Sequence, residues 1–180
     1  MINPRAVHRS VLKIAIAGTM AVSGLAAAAS PVLAAPEDLA LIQSYIGDWR
    51  GRGTLEAEGQ ENETVVCRLS VTPSTAEKIN YRGRCTLAGA NLSMNGTMAY
   101  ISEKNRYEAI MTSNTAFTGI AIGTRQRENI TFNLQATDES GMRSRVRAGF
   151  GLNEGNIEVS FEVTRDDGSK LVAQIPFERR

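Results

Sequence analysis

The chain has 180 residues, with 20 Lys+Arg against 19 Asp+Glu, two cysteines and a single histidine, His8. So balanced a charge excludes the overall basic field that holds nucleic acid or an anionic membrane surface. The length, once a leader is removed, suits one domain with an ordinary core.

The first segment carries Arg5, Arg9 and Lys13, then an apolar, alanine-rich run from Ile14 to Ala29, with no acidic residue. That is the layout of a signal peptide, and Val32 and Ala34 place cleavage between Ala34 and Ala35. Ser23, Ser30 and Pro31 interrupt the run before the roughly 20 apolar residues of a membrane span accumulate. Residues 1–34 are therefore read as a cleaved signal peptide, and the remainder as periplasmic or secreted with no membrane span. Cleavage removes His8 and three basic residues, leaving 17 Lys+Arg against 19 Asp+Glu.

Residues 35–46 form an N-terminal helical segment, with acidic residues in the first turn of Glu37 to Ile46 and Leu39, Ile42 and Ile46 at helical spacing. Residues 47–180 read as strand throughout. Apolar and polar residues alternate over Trp49–Ala57, Thr64–Val71, Ile79–Leu87, Leu92–Ile101, Tyr107–Ser113, Phe117–Thr124, Ile130–Ala136, Met142–Phe150, Ile157–Thr164 and Leu171–Arg179. Short connections rich in Gly, Asn, Asp and Ser permit hairpins and forbid parallel crossovers. An antiparallel meander with one apolar face per strand buries that face by closing, so the predicted fold is all-β: an up-and-down barrel of about 8–10 strands after a short helix.

Cys67 and Cys85 lie on the inward faces of the second and third runs, at nearly equal distances from a turn centred near Pro73 to Glu77. A hairpin about that turn makes them cross-strand neighbours, and an oxidising compartment makes them a disulfide.

Without histidine the exported chain has no Ser-His-Asp or Cys-His arrangement and no His-based metal site, so no enzyme activity, metal or other cofactor is expected. Glu158 and Glu162 alternate with the core face and read as partners of Arg143, Arg145 and Arg147 on a solvated wall. Arg50, Arg52, Arg68, Arg82 and Arg84 share the outer face of the first three strands. They form a surface for an acidic protein partner or, alternatively, a solvated face balanced by Glu56 and Glu63. Inward positions of the middle strands mix small residues with Met94, Met98, Tyr100, Tyr107, Met111 and Phe117. In a barrel of this strand number that mixture leaves room for a small hydrophobic ligand, the rival reading being a filled core in which glycines relieve crowding.

Gly47-Asp48-Trp49-Arg50-Gly51-Arg52-Gly53 follows the helix and opens the first strand. It resembles the Gly-x-Trp opening of the calycin superfamily, and its Gly-x-Trp-x-Gly-x-Gly form is most similar to the nitrobindin-type bacterial barrels. The resemblance implies that Trp49 closes one barrel end beneath an arginine of the last strand, here Arg179. Nitrobindins hold haem through a histidine late in the chain, which is missing here. A tyrosine ligand, Tyr100 or Tyr107, is chemically allowed, but haem is not expected. The sequence also resembles small periplasmic protease-inhibitor barrels, which have a tryptophan-bearing first strand and a disulfide linking early strands. The function expected is an exported, non-enzymatic barrel binding a small apolar or amphipathic ligand, with protease inhibition or other protein binding as the alternative.

Overall fold

The computed structural model describes residues 36–87, 90–114, 119–137 and 141–180, and the expected signal peptide lies outside them. Helix α1 (Pro36–Ser44) precedes ten strands. These are β1 (Gly47–Ala57), β2 (Glu63–Thr75), β3 (Lys78–Leu87), β4 (Ala90–Ile101), β5 (Arg106–Ser113), β6 (Gly119–Gln126), β7 (Asn129–Thr137), β8 (Arg143–Asn153), β9 (Asn156–Arg165) and β10 (Lys170–Arg179). Each strand pairs antiparallel with its neighbours in sequence, and β1 pairs with β10, Trp49 lying opposite Arg179. The sheet is thus a closed up-and-down barrel, the fold class expected, and closure removes both sheet edges.

Local departures have simple causes. Pro36 opens α1, where its missing N–H costs nothing, and the helix stops at Ser44, two residues short of the expected end. β2 continues through Pro73 to Thr75 with an irregular register between those residues, so the turn is confined to Ala76 and Glu77. A residue without an N–H is accommodated where the ladder is already disrupted. The expected start of the sixth strand, Phe117, lies outside the described residues.

Strand alternation puts Cys67 directly opposite Cys85 on the inner surface, with a Cα–Cα distance of 4.1 Å and a disulfide between them. On the outer wall Glu162 pairs with Arg147 in register, but Glu158 faces Gly151, and Arg143 instead reaches Asp166 at 3.3 Å.

The two ends of the barrel differ. Where the odd-numbered strands begin, α1 is tied to the wall: the Gln43 amide donates to the carbonyls of Thr75 and Ala76 at 3.0 and 2.9 Å, and the Tyr45 hydroxyl to that of Phe150 at 3.1 Å. Ile42 of the helix and, beneath it, Trp49, Ile79, Tyr107, Ile130, Phe132 and Ile157 are almost fully buried. Each such side chain contributes roughly 1.5–3 kcal/mol, so this half is the core. Where the odd-numbered strands finish, Val65, Val146 and Val163 are buried, but the inward residues Leu55, Leu87, Leu92, Met94, Met111, Leu134, Phe161 and Leu171 around them are only partly so.

Candidate ligand-binding site

Glycine positions show where the interior is filled. A Cβ on Gly96 would meet the Tyr81 hydroxyl at 2.5 Å, and one on Gly123 would meet the Phe132 ring at 2.5 Å. Both aromatics are the cross-strand partners of those glycines and lie over them, so crowding relief is the correct account there. Gly119 is different. It shares the inward parity of Ala121 and Gly123, pairs with Met111, and a Cβ built on it meets nothing within 4 Å. Gly119 is itself exposed, so among the described residues the wall beside Met111 is open to solvent at this end, in the half remote from the helix.

The six residues expected to line a cavity are not gathered around one space. Met94 and Met111 belong to the open half. Met98, Tyr100 and Tyr107 are 3, 5 and 1% exposed and pack in the filled half, whereas Phe117 lies outside the described residues. Alternation reports the face of a strand but not height along the barrel, and the end of β4 and the start of β5 both lie at the helix end. Leu55, Leu87, Leu92, Leu134, Phe161 and Leu171, which join the open half, went unrecognised for the same reason. The direction of each strand in the meander was the signal that could have found them.

The filled end is organised by polar groups. Asp38 of α1 is buried, and its Oδ1 accepts from the Tyr107 hydroxyl at 2.7 Å and from Arg125 Nη1 at 3.1 Å. The Tyr100 hydroxyl donates to Asn105 at 2.7 Å, and its ring meets that of Tyr107 edge-on at 5.1 Å. Burial pushes the Tyr107 phenol far above its ordinary value, and the bond to Asp38 adds to this. Burial also raises Tyr45 and Tyr100, and takes Tyr81 up to about 12. All four side chains are neutral phenols near neutral pH. Alongside, Trp49 Nε1 donates to the Tyr45 carbonyl at 2.9 Å, and the Arg179 guanidinium lies 4.5 Å from the Trp49 ring centroid while donating to the Ile46 carbonyl at 3.1 Å. Gly47, at φ 147°, leaves the space this arginine uses, since a Cβ there would meet Arg179 Nη1 at 2.7 Å.

Arg50, Arg52, Arg68, Arg82 and Arg84 are exposed on the outer wall of β1 to β3. Their expected counter-charges are elsewhere: Glu56 lies opposite Val172, and Glu63 lies opposite Leu55.

Residues 38–175 match the model of the THAP4-like, heme-binding beta-barrel domain family. No curated protein matches the sequence. Among solved structures, a protein of Mycobacterium tuberculosis, Rv2717c, is similar at a TM-score of 0.60 and 11% identity, covering 81% of this chain and 98% of that one. The S-type phycobiliprotein lyase CPES from Guillardia theta is similar at a TM-score of 0.57 and 10% identity, covering 78% and 91%. At such identities the likeness shows the fold alone. The described residues fit a histidine-ligated haem poorly. They include no histidine, both thiols are consumed in the disulfide, and the inward tyrosines are hydrogen-bonded phenols where iron requires phenolate. The thioethers of Met94, Met98 and Met111 are neutral ligands that in cytochromes c act beside a histidine.

Proposed function

The chain belongs to the THAP4-like haem-binding β-barrel family, and we propose that it is an exported, non-enzymatic member holding a small apolar or amphipathic molecule in the open half of its barrel, without histidine ligation of iron. The observation that carries this reading is the asymmetry of the interior. One half is filled and capped by α1, whereas the other, beyond buried Val65, Val146 and Val163, presents partly exposed leucines, methionines and Phe161 toward the exposed Gly119. A concave, apolar surface on a rigid scaffold is the usual form of a small-molecule site. Export is supported by the layout of residues 1–34 and by the disulfide, which suits an oxidising compartment. Binding rather than catalysis is supported by the state of Asp38, whose carboxylate is engaged by Arg125 and Tyr107. A barrel that inhibited a protease through the segment before its first strand would need that segment free, whereas Pro36–Ser44 is a helix tied to the wall through Gln43.

The test is titration with N-phenyl-1-naphthylamine, a neutral apolar fluorophore. One saturable site is expected, and Gly119→Trp should abolish it while leaving thermal stability unchanged. Equal binding by the variant, or none by the wild type, would overturn the reading. Titration with haemin should give no Soret shift, and a stoichiometric shift would refute the exclusion of iron ligation.

A further inference from the structure

The outer wall of β1 to β4 holds an arrangement that the ligand-binding reading does not use. Register places Arg50 opposite Arg68, and Arg68 opposite Arg84, so three guanidinium side chains stand in one row across three strands. Arg82 follows two residues from Arg84 on the same face. Like charges directly opposite one another destabilise a sheet, so such a row calls for compensation. Among the described residues no ion pair within 4 Å supplies it to any of these four arginines. Glu178 is in register with Arg50 but makes no ion pair with it, and Asp48 lies at the margin. The cations therefore repel one another on a chain whose total charge is close to zero.

The arginines also frame a concavity. Arg68, Arg82 and Arg84 border a groove of about 620 Å³ whose floor adds Ser70, Ser93 and Asn95. Guanidinium, hydroxyl and amide groups, with Arg180 at one end, offer donors that suit a ligand rich in acceptors, and they outnumber the one carboxylate on the lining, Asp48. Strands are spaced about 4.8 Å apart and alternate residues along one strand about 6.7 Å, so the patch measures on the order of 14 by 7 Å. That is far below the roughly 800 Å² each partner buries in a stable protein interface. Trp49 borders the groove but is almost fully buried and Tyr81 has inward parity, so among the described residues no aromatic ring is offered there for stacking nucleic-acid bases. Arginine forks match tetrahedral oxyanions bidentately.

We propose that this groove is a binding site for a small, soluble, multivalent phosphate anion, held by Arg68, Arg82 and Arg84 with Ser70, Ser93 and Asn95. The proposal does not depend on the barrel interior.

Calorimetric titration of the protein with inorganic tripolyphosphate at low ionic strength tests it. One saturable site is expected, weakening as salt is added. Arg68→Gln/Arg84→Gln should weaken it at least tenfold, and tripolyphosphate should raise the Tm of the wild type but not of this variant. Arg145→Gln/Arg147→Gln, which removes the same charge from another wall, should leave affinity unchanged. Equal loss in the two double variants would reduce the effect to net charge and overturn the proposal. Absence of saturable binding would do the same, as would a preference for hexaglutamate or for phosphoinositide-containing vesicles over tripolyphosphate.

Discussion

Replacing Asp38 with alanine should be among the most costly changes available at the helix end. The substitution takes the acceptor from the Tyr107 hydroxyl, bonded at 2.7 Å, and from Arg125, bonded at 3.1 Å. A hydrogen bond to a charged group contributes roughly 1.5–3 kcal/mol, and a fully buried ion left without its partner costs about 3–5 kcal/mol. The Arg125 side chain is 23% exposed and keeps Glu37 at 3.6 Å and the Arg127 carbonyl, and Tyr107 keeps the Asp38 backbone carbonyl at 3.3 Å, so the lower end applies. A loss of about 2–3 kcal/mol follows. In a domain of this length 1 kcal/mol moves Tm by about 3–4 °C, so Tm should fall by about 6–12 °C. Tyr107→Phe removes one bond while keeping the ring and should cost about 1 kcal/mol. The double variant should lose less than the sum, because the two singles break the same contact. Urea unfolding followed by circular dichroism measures all three. A loss under about 0.5 kcal/mol for Asp38→Ala, or strict additivity with Tyr107→Phe, would refute the idea that this bond holds the helix to the barrel.

Burial raises all four tyrosines of the chain, and their folded values lie above the unfolded value near 10. Stability tied to the neutral phenols is therefore whole below about pH 10 and is lost as pH rises through the folded values, Tyr81's being about 12. Absorbance near 295 nm should show almost no tyrosinate in native protein at about pH 10.5 and a large signal once denaturant is added; reversible native ionisation of two tyrosines there would contradict it. Cys67→Ser/Cys85→Ser, opening a loop with a sequence separation of 18, should lower unfolding free energy by about 3 kcal/mol in urea, and a reductant should reproduce the loss. Gly123→Ala drives a methyl into the Phe132 ring and should cost about 1–3 kcal/mol, whereas Gly119→Ala should stay within about 0.5 kcal/mol of wild type. Equal costs at the two glycines would mean that the interior beside Met111 is filled.

Period-two alternation was enough to read ten strands and their faces, since a buried inner face tolerates no register slip. The Cys67–Cys85 pairing was legible for the same reason, because both residues share the inward parity of one hairpin. Height was not legible. Met98, Tyr100 and Tyr107 carry the same pattern as Met94 and Met111, and only the packing of α1 on one end separates a filled half from an open one. Asp38 also escaped notice: an acidic residue in a first helical turn ordinarily serves the helix dipole. Nothing local announces that Arg125, 87 residues further on, returns to meet it. The arginine wall was visible as a cluster, but its lack of counter-charge depends on where Glu56 and Glu63 fall in the register.

Helix α1, with nine residues, is too short to be stable alone, since isolated helices below about 12–15 residues are marginal in water. It persists because Ile42 is buried and because Asp38, Gln43 and Tyr45 reach the barrel wall. Those contacts all lie at the filled end, while Gly119 and Met111 belong to the other half. Stability and ligand binding should therefore separate. Asp38→Ala should lower Tm while leaving N-phenyl-1-naphthylamine affinity within about twofold of wild type, which is about 0.4 kcal/mol. Gly119→Trp should do the reverse, because Gly119 is exposed and no described residue lies within 4 Å of a Cβ built there. If Asp38→Ala instead weakens the fluorophore tenfold at temperatures where the variant is fully folded, the helix end takes part in binding. The division of the barrel into a core half and a ligand half would then be wrong.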